Sequence, residues 1–149
     1  MRITAEDAAV QEGARRFRIT GGEAAVTLGT FEPIDISRET NGDVMLLFTM
    51  KMTDAPDRVG IAMRSGSDAT AIANVQIPQG TEFVRYGIPL KCLRDKGIDM
   101  TKVAMPFVLA TSGAADFALR PHMVALSKVA GGRTRCRCAR MQRRDISGV

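Results

Sequence analysis

Tryptophan is absent from this 149-residue chain and tyrosine occurs once, as Tyr86. Sugar- and nucleic-acid-binding surfaces most often stack their ligands on flat aromatic faces, so this composition argues against a site built on stacking. Histidine also occurs once, so any imidazole-based acid, base or triad must use His122. Pro121 stands beside it, which suggests a strand break with a solvated ring, and no G-x-S-x-G elbow supplies a nucleophile. The three cysteines, Cys92, Cys136 and Cys138, are an odd number and imply no closed disulfide framework. No apolar run approaches the roughly 18 residues that span a bilayer, and the opening MRITAEDAAVQEG lacks the apolar core of a signal peptide. No membrane partner is therefore expected.

Excess charge is missing from most of the chain as well. The formal net charge is +5, yet residues 1–132 carry 15 basic and 15 acidic side chains. The imbalance sits in residues 133–149, with six arginines against one aspartate. The overall basicity thus says nothing about the face of the domain, and a short charge run without interleaved aromatics gives no reason to expect a nucleic-acid partner.

Residues that could carry chemistry are present but scattered. Three cysteines and one histidine are enough for tetrahedral zinc, but Cys136 and Cys138 are spaced C-x-C, and Cys92 and His122 fall in core strands or corners. Cys92 then reads as a small buried hydrophobe, and no metal site is assigned. Asp35, Asn41, Asp43 and Asp54 could offer oxygens to a structural calcium, without a twelve-residue loop pattern to support it. The Ser65-Gly66-Ser67-Asp68 stretch lacks the lysine and the strand-to-helix setting of a phosphate loop. Acidic residues on turns show no spacing that singles out a catalytic pair, so no catalytic residue is assigned.

What the chain does have is period-two alternation. In DVMLLFTMKMT, residues 43–53, Val44, Leu46, Phe48, Met50 and Met52 share one face. RVGIAMR, residues 58–64, repeats the pattern after the turn-forming TDAPD, and the two read as a hairpin. Further strands are expected at 15–20, 24–29, 33–37, 70–77, 82–90, 106–111, 116–120 and 123–129, separated by Gly- and Ser-rich turns. Only residues 90–97 and the first dozen look helical. Many short strands at this spacing predict an all-β antiparallel sandwich or barrel.

The alternation stops near Val129. The expected organisation is a flexible lead over residues 1–11, one sandwich domain over 12–130, and a disordered, Arg-rich and foreign-looking tail over 131–149. Strand 43–53 is apolar on both faces, so both must be covered, by a docked partner or by self-association.

The run IPLKCLRDKGIDMTKVAMPFVLATSG (88–113), followed by MVAL (123–126), resembles the C-terminal domain of bacterial glycoside hydrolase family 3 exo-β-glucosidases. RRFRITGGEAAVTLG (15–29) and PIDISRETNGDVMLLF (33–48) are similar to the start of the same module, so the resemblance spans about residues 12–129. It implies a galactose-binding-like jelly roll that packs on the catalytic domains of a parent hydrolase, holds none of the catalytic carboxylates, needs no cofactor and contacts β-glucan. It also implies a periplasmic or secreted parent enzyme. Sugar contacts would fall to Tyr86, Arg64 and Arg85, the ring and cations able to stack or donate hydrogen bonds. The alternative is a purely structural or protein-interaction sandwich that binds no carbohydrate.

Overall fold

The computed structural model describes residues 3–9, 14–29, 32–42, 44–66, 70–129, 139–140 and 146–147. In chain order the elements are β1 (Ile3–Ala9), β2 (Ala14–Ile19), β3 (Glu23–Leu28), α1 (Ser37–Asn41), β4 (Val44–Asp54), β5 (Arg58–Ser65), β6 (Thr70–Val75) and β7 (Val84–Pro89). They continue with α2 (Leu90–Arg94), β8 (Val103–Ser112), β9 (Ala115–Leu119), a 3-10 turn (Pro121–Met123), β10 (Ala125–Val129), β11 (Ala139–Arg140) and β12 (Ile146–Ser147).

All pairings are antiparallel, and they build two sheets packed face to face, the expected all-β sandwich. One sheet runs β3-β8-β5-β6. The other centres on β4 and has eight strands, β1-β2-β9-β4-β10-β12, with β7 and then β11 on the opposite side of β4. β9 and β10 share one side of β4: β9 takes Met50–Asp54 and β10 takes Val44–Leu47. Between them the Arg120 N–H donates to the Thr49 carbonyl at 3.1 Å, and the 3-10 turn begins at Pro121, which has no N–H to continue the ladder. The strand break expected at Pro121-His122 is thus a single side of the sheet split in two.

Alternation decides which side chains fill the space between the sheets. From β4 come Leu46, Phe48, Met50 and Met52, each 2% exposed or less, and from the facing sheet Ile61, Met63, Phe107 and Leu109. Phe48 stacks on Tyr86 within its own sheet at 5.6 Å and reaches across to Phe107 at 5.5 Å. At the other flank Phe17 stacks on Phe117 at 5.4 Å across the β2–β9 pair.

Four expectations are corrected. Residues 43–53 and 58–64 do not form a hairpin: β4 pairs with β7, β9 and β10 in one sheet and β5 with β6 and β8 in the other, so the turn between them carries the chain across the sandwich. Residues 33–37 do not form a strand. Ile34 makes one bridge to Val103, and the Asp35 carboxylate then accepts from the Ser37 N–H (3.0 Å) and hydroxyl (2.6 Å), turning the chain into α1. Residues 3–9, read as helical, pair with β2 as a strand. Within 131–149, residues 139–140 pair with β7 and 146–147 with β10, so these four are sheet, not free tail.

The second face of β4 is covered by the chain itself. Met45 is 5% and Leu47 2% exposed, so β4 leaves no apolar face for a docked partner or a second copy. Among the described residues the only exposed large hydrophobics are Ile34, in the segment before α1, and Ile72 on β6. Cys92 is buried as expected, but it is disulfide-bonded, and its partner lies outside the described residues.

Candidate functional site

Four turns meet at one end of the sandwich: β2–β3 at Thr20–Gly22, β4–β5 at Ala55–Asp57, β6–β7 at Gln76–Phe83, and β8–β9 at Gly113. Their backbones hold one another. The Gly113 N–H donates to the Gly22 carbonyl at 2.9 Å, the Ala55 N–H to the Gln79 side-chain oxygen at 2.9 Å, and the Gly80 N–H to the Met52 carbonyl at 2.9 Å. Gly113 has φ +99°, and a Cβ there would stand 2.7 Å from the Asp57 carboxylate. Only glycine lets the β8–β9 turn lie against Asp57.

Around this end run three depressions. A cavity of about 640 Å³ opens between residues 55–59 and 74–78. A trough of about 470 Å³ adjoins it through Arg58 and Asn74 and crosses the outer face of the four-stranded sheet. There Ala25, Ala110 and Gly60 are cross-strand neighbours, so small side chains form the trough floor. Ile72, 46% exposed, lies against it, and a Cβ on Gly60 would come within 2.8 Å of its methyl. A third depression of about 320 Å³ shares Gln76 and Pro78 with the first and reaches Tyr86 and Arg140.

The chemistry of this band lies in its uncommitted polar groups. Asp57, Arg58, Asn74 and Gln76 line the cavity, and none makes a side-chain hydrogen bond or ion pair to another described residue. They comprise a carboxylate acceptor, a guanidinium donor and two amides that do both, with formal charges that cancel. Pro56, Pro78 and Val75 supply apolar surface between them. Such a mixture suits a neutral, hydroxyl-rich ligand and offers no concentrated charge for a phosphate.

The residues expected to contact sugar do not converge. Tyr86 is 6% exposed, points between the sheets and packs on Phe48, so its ring face is part of the core and only its edge reaches the third depression. Arg85, next along β7, points to the opposite side of the same sheet, across from Thr49. Arg64 lies in the other sheet, at the end of β5 away from the four turns, opposite Thr70. Sequence reasoning misses the residues that do line the band because nothing in their type marks them. The available signal is positional: Arg58 and Asn74 occupy outward positions of adjacent strands next to Pro56 and Pro78.

The calcium candidates are dispersed as well. Asp35 precedes α1 and Asn41 is its last residue, Asp54 ends β4 beside Asp116, and Asp43 lies outside the described residues. Among the described residues no group of three or more His, Cys, Asp or Glu side chains comes together. His122 is the middle residue of the 3-10 turn, and its side chain lies outside the described residues. Away from the cavity, Asp116 receives both the Nε (2.9 Å) and a terminal nitrogen (2.6 Å) of Arg16. That hydrogen-bonded pair, with Arg18 and Lys51 nearby, holds the Asp116 carboxyl below its usual range against the opposing effect of burial.

Residues 1–121 match the family model Exop_C, described as galactose-binding domain-like. Among solved structures, the extra C-terminal domain (X) of the exo-1,3/1,4-β-glucanase ExoP from a Pseudoalteromonas species is 17% identical, with a TM-score of 0.63 over 85% of this chain and 70% of that one. The family 30 carbohydrate-binding module of the cellulosomal cellulase Cel9D-Cel44B of Clostridium thermocellum is 16% identical, with a TM-score of 0.61 over 78% and 77%. Against the whole ExoP enzyme the match covers 85% of this chain but 15% of that one, at 20% identity and a TM-score of 0.61. No curated protein matches the chain by sequence. At these identities the structural likeness shows the fold.

Proposed function

Because the chain belongs to the Exop_C family of galactose-binding-like domains, we propose that it is the non-catalytic accessory domain of a glycoside hydrolase family 3 exo-β-glucosidase or exo-glucanase. Its role is to pack on the catalytic domains and contact β-glucan. The family match over residues 1–121 carries this reading. It is supported by the likeness to a module that occurs as the extra domain of an exo-β-glucanase and to one from a cellulase. The family 3 parentage rests on the resemblance of the motifs in residues 88–113. The disulfide at Cys92 suits an oxidising compartment, in keeping with a periplasmic or secreted parent.

Affinity electrophoresis of the full chain in gels containing soluble β-1,3-glucan or mixed β-1,3/1,4-glucan tests the carbohydrate role. Retardation that rises with glucan content and is relieved by free oligosaccharide is the expected result. Mobility unchanged at every glucan content would remove glucan contact and leave packing on the catalytic domains. That role has its own test, which is co-elution of the chain with a purified family 3 catalytic body in size-exclusion chromatography.

A further inference from the structure

We propose that the glucan-contacting surface of this domain is the cavity between residues 55–59 and 74–78 with its extension over the four-stranded sheet, and that it holds an internal stretch of a neutral glucan chain by hydrogen bonds alone. The inference rests on the carbohydrate reading above. It replaces Tyr86, Arg64 and Arg85 by Arg58, Asn74 and Gln76 as the contacting residues.

Four observations carry it. The cavity, at about 640 Å³, is within the size range of small-ligand sites, and it continues into the trough instead of closing. An open path passes a chain through, whereas a blind pocket takes a chain end. The trough floor, Ala25, Ala110 and Gly60, crosses β3, β8 and β5 and continues to Asn74 on β6, a span of three strand spacings or about 14 Å. That is long enough for a few pyranose units.

The polar side chains are also available. Asp57, Arg58, Asn74 and Gln76 are unengaged among the described residues, so a ligand need not break an internal bond to reach them. Each sugar hydroxyl is donor and acceptor at once. Neighbouring hydroxyl pairs match a guanidinium fork or an amide, and a carboxylate accepts from both members of a pair. Finally, Asp57 and Arg58 cancel within the cavity and Glu23 adds a negative charge at the trough, which disfavours a sulfated or uronic ligand and leaves a neutral one. With no aromatic face in the cavity or the trough, affinity comes from several modest hydrogen bonds, each able to change binding by about 3- to 10-fold.

Isothermal titration of the full chain with laminarin and with a mixed β-1,3/1,4-glucan tests this, using Arg58→Ala, Asn74→Ala and Gln76→Ala beside Arg64→Ala and Arg85→Ala. Expected is binding weakened by about 3- to 10-fold in each of the first three and unchanged in the last two, with all thermal midpoints near that of the parent chain. Parent binding that survives all three cavity variants would overturn the site and leave the carbohydrate reading intact. Absence of any parent binding would overturn both. Tighter binding of a sulfated galactan or a polyuronate than of the neutral glucans would overturn the assignment of ligand charge.

Discussion

Gly113 illustrates how much of the candidate site depends on a single backbone position. Its left-handed φ lets the β8–β9 turn touch Asp57 and donate to Gly22, holding it against the β2–β3 turn and against the β4–β5 turn that borders the cavity. A methyl group there would displace the Asp57 carboxylate, 2.7 Å away, and press on the Asp57 backbone nitrogen at 3.1 Å, in a backbone conformation that side chains rarely adopt. Gly113→Ala is expected to lower unfolding stability by more than about 1 kcal/mol, from the positive φ and the clash together. Gly80→Ala, in the adjacent β6–β7 turn with open space around it, is the control and should stay within about 0.5 kcal/mol of the parent. Equal denaturation midpoints for the two variants would contradict the close packing of these turns. Tyr86 shows the reverse situation. As the lone tyrosine it is the obvious candidate for a sugar stacker, but its even position in β7 places it on the core face with Phe48, where the ring is structural.

At the level of elements, β2 and β9 are joined by the Phe17–Phe117 stack on one face and the Arg16–Asp116 pair on the other. The lowered Asp116 pKa gives this joint a pH dependence of definite sign. A carboxyl whose folded pKa lies below its unfolded value adds stability above about pH 4, and the contribution disappears as pH falls through the folded value. Asp116→Asn should therefore cost about 1 kcal/mol at neutral pH, since the pair is partly exposed, and nothing once the parent carboxyl is protonated. Urea unfolding of both proteins across the acid range measures it, and a deficit that stays constant with pH would refute the linkage. The elements best visible in sequence were those with strict alternation and clear turns: β4, β5 and the break at Pro121. The hairpin expected of β4 and β5 was not among them, because alternation shows that two strands exist and not which sheet each joins. Those misread had local chemistry that alternation does not report. Ile34 and Ile36 alternate like a strand, yet the Asp35 side chain captures Ser37 and starts a helix. The alanines and acids of β1 look helical in isolation and become a strand only because β2 offers its edge.

For the whole molecule, two sheets, a long central strand and a single core were legible, because burial imposes its period on the sequence. The cavity was not. It is made of outward side chains from strands and turns that come together only when the sandwich closes, and no spacing along the chain encodes that meeting. The Cys92 disulfide was hidden for a related reason, an odd cysteine count giving no pairing rule. It should matter to the fold as a unit. Reduction, or Cys92→Ser, is expected to lower stability by about 2–4 kcal/mol and to shift the thermal midpoint downward by several degrees. A midpoint indifferent to reductant, with free thiols counted before and after, would refute a stabilising bond.

The β2–β9 joint spans a separation of 100 residues, the distance from Arg16 to Asp116. During synthesis, at roughly 5–20 residues per second, β2 therefore leaves the ribosome about 5–20 seconds before its second partner exists. Throughout that interval β1 and β2 can form only a two-stranded ribbon, which is marginal in water. The eight-stranded sheet is therefore joined late, when β9 enters between β2 and β4 and gives β2 its second neighbour, with β10 still to follow along the rest of β4.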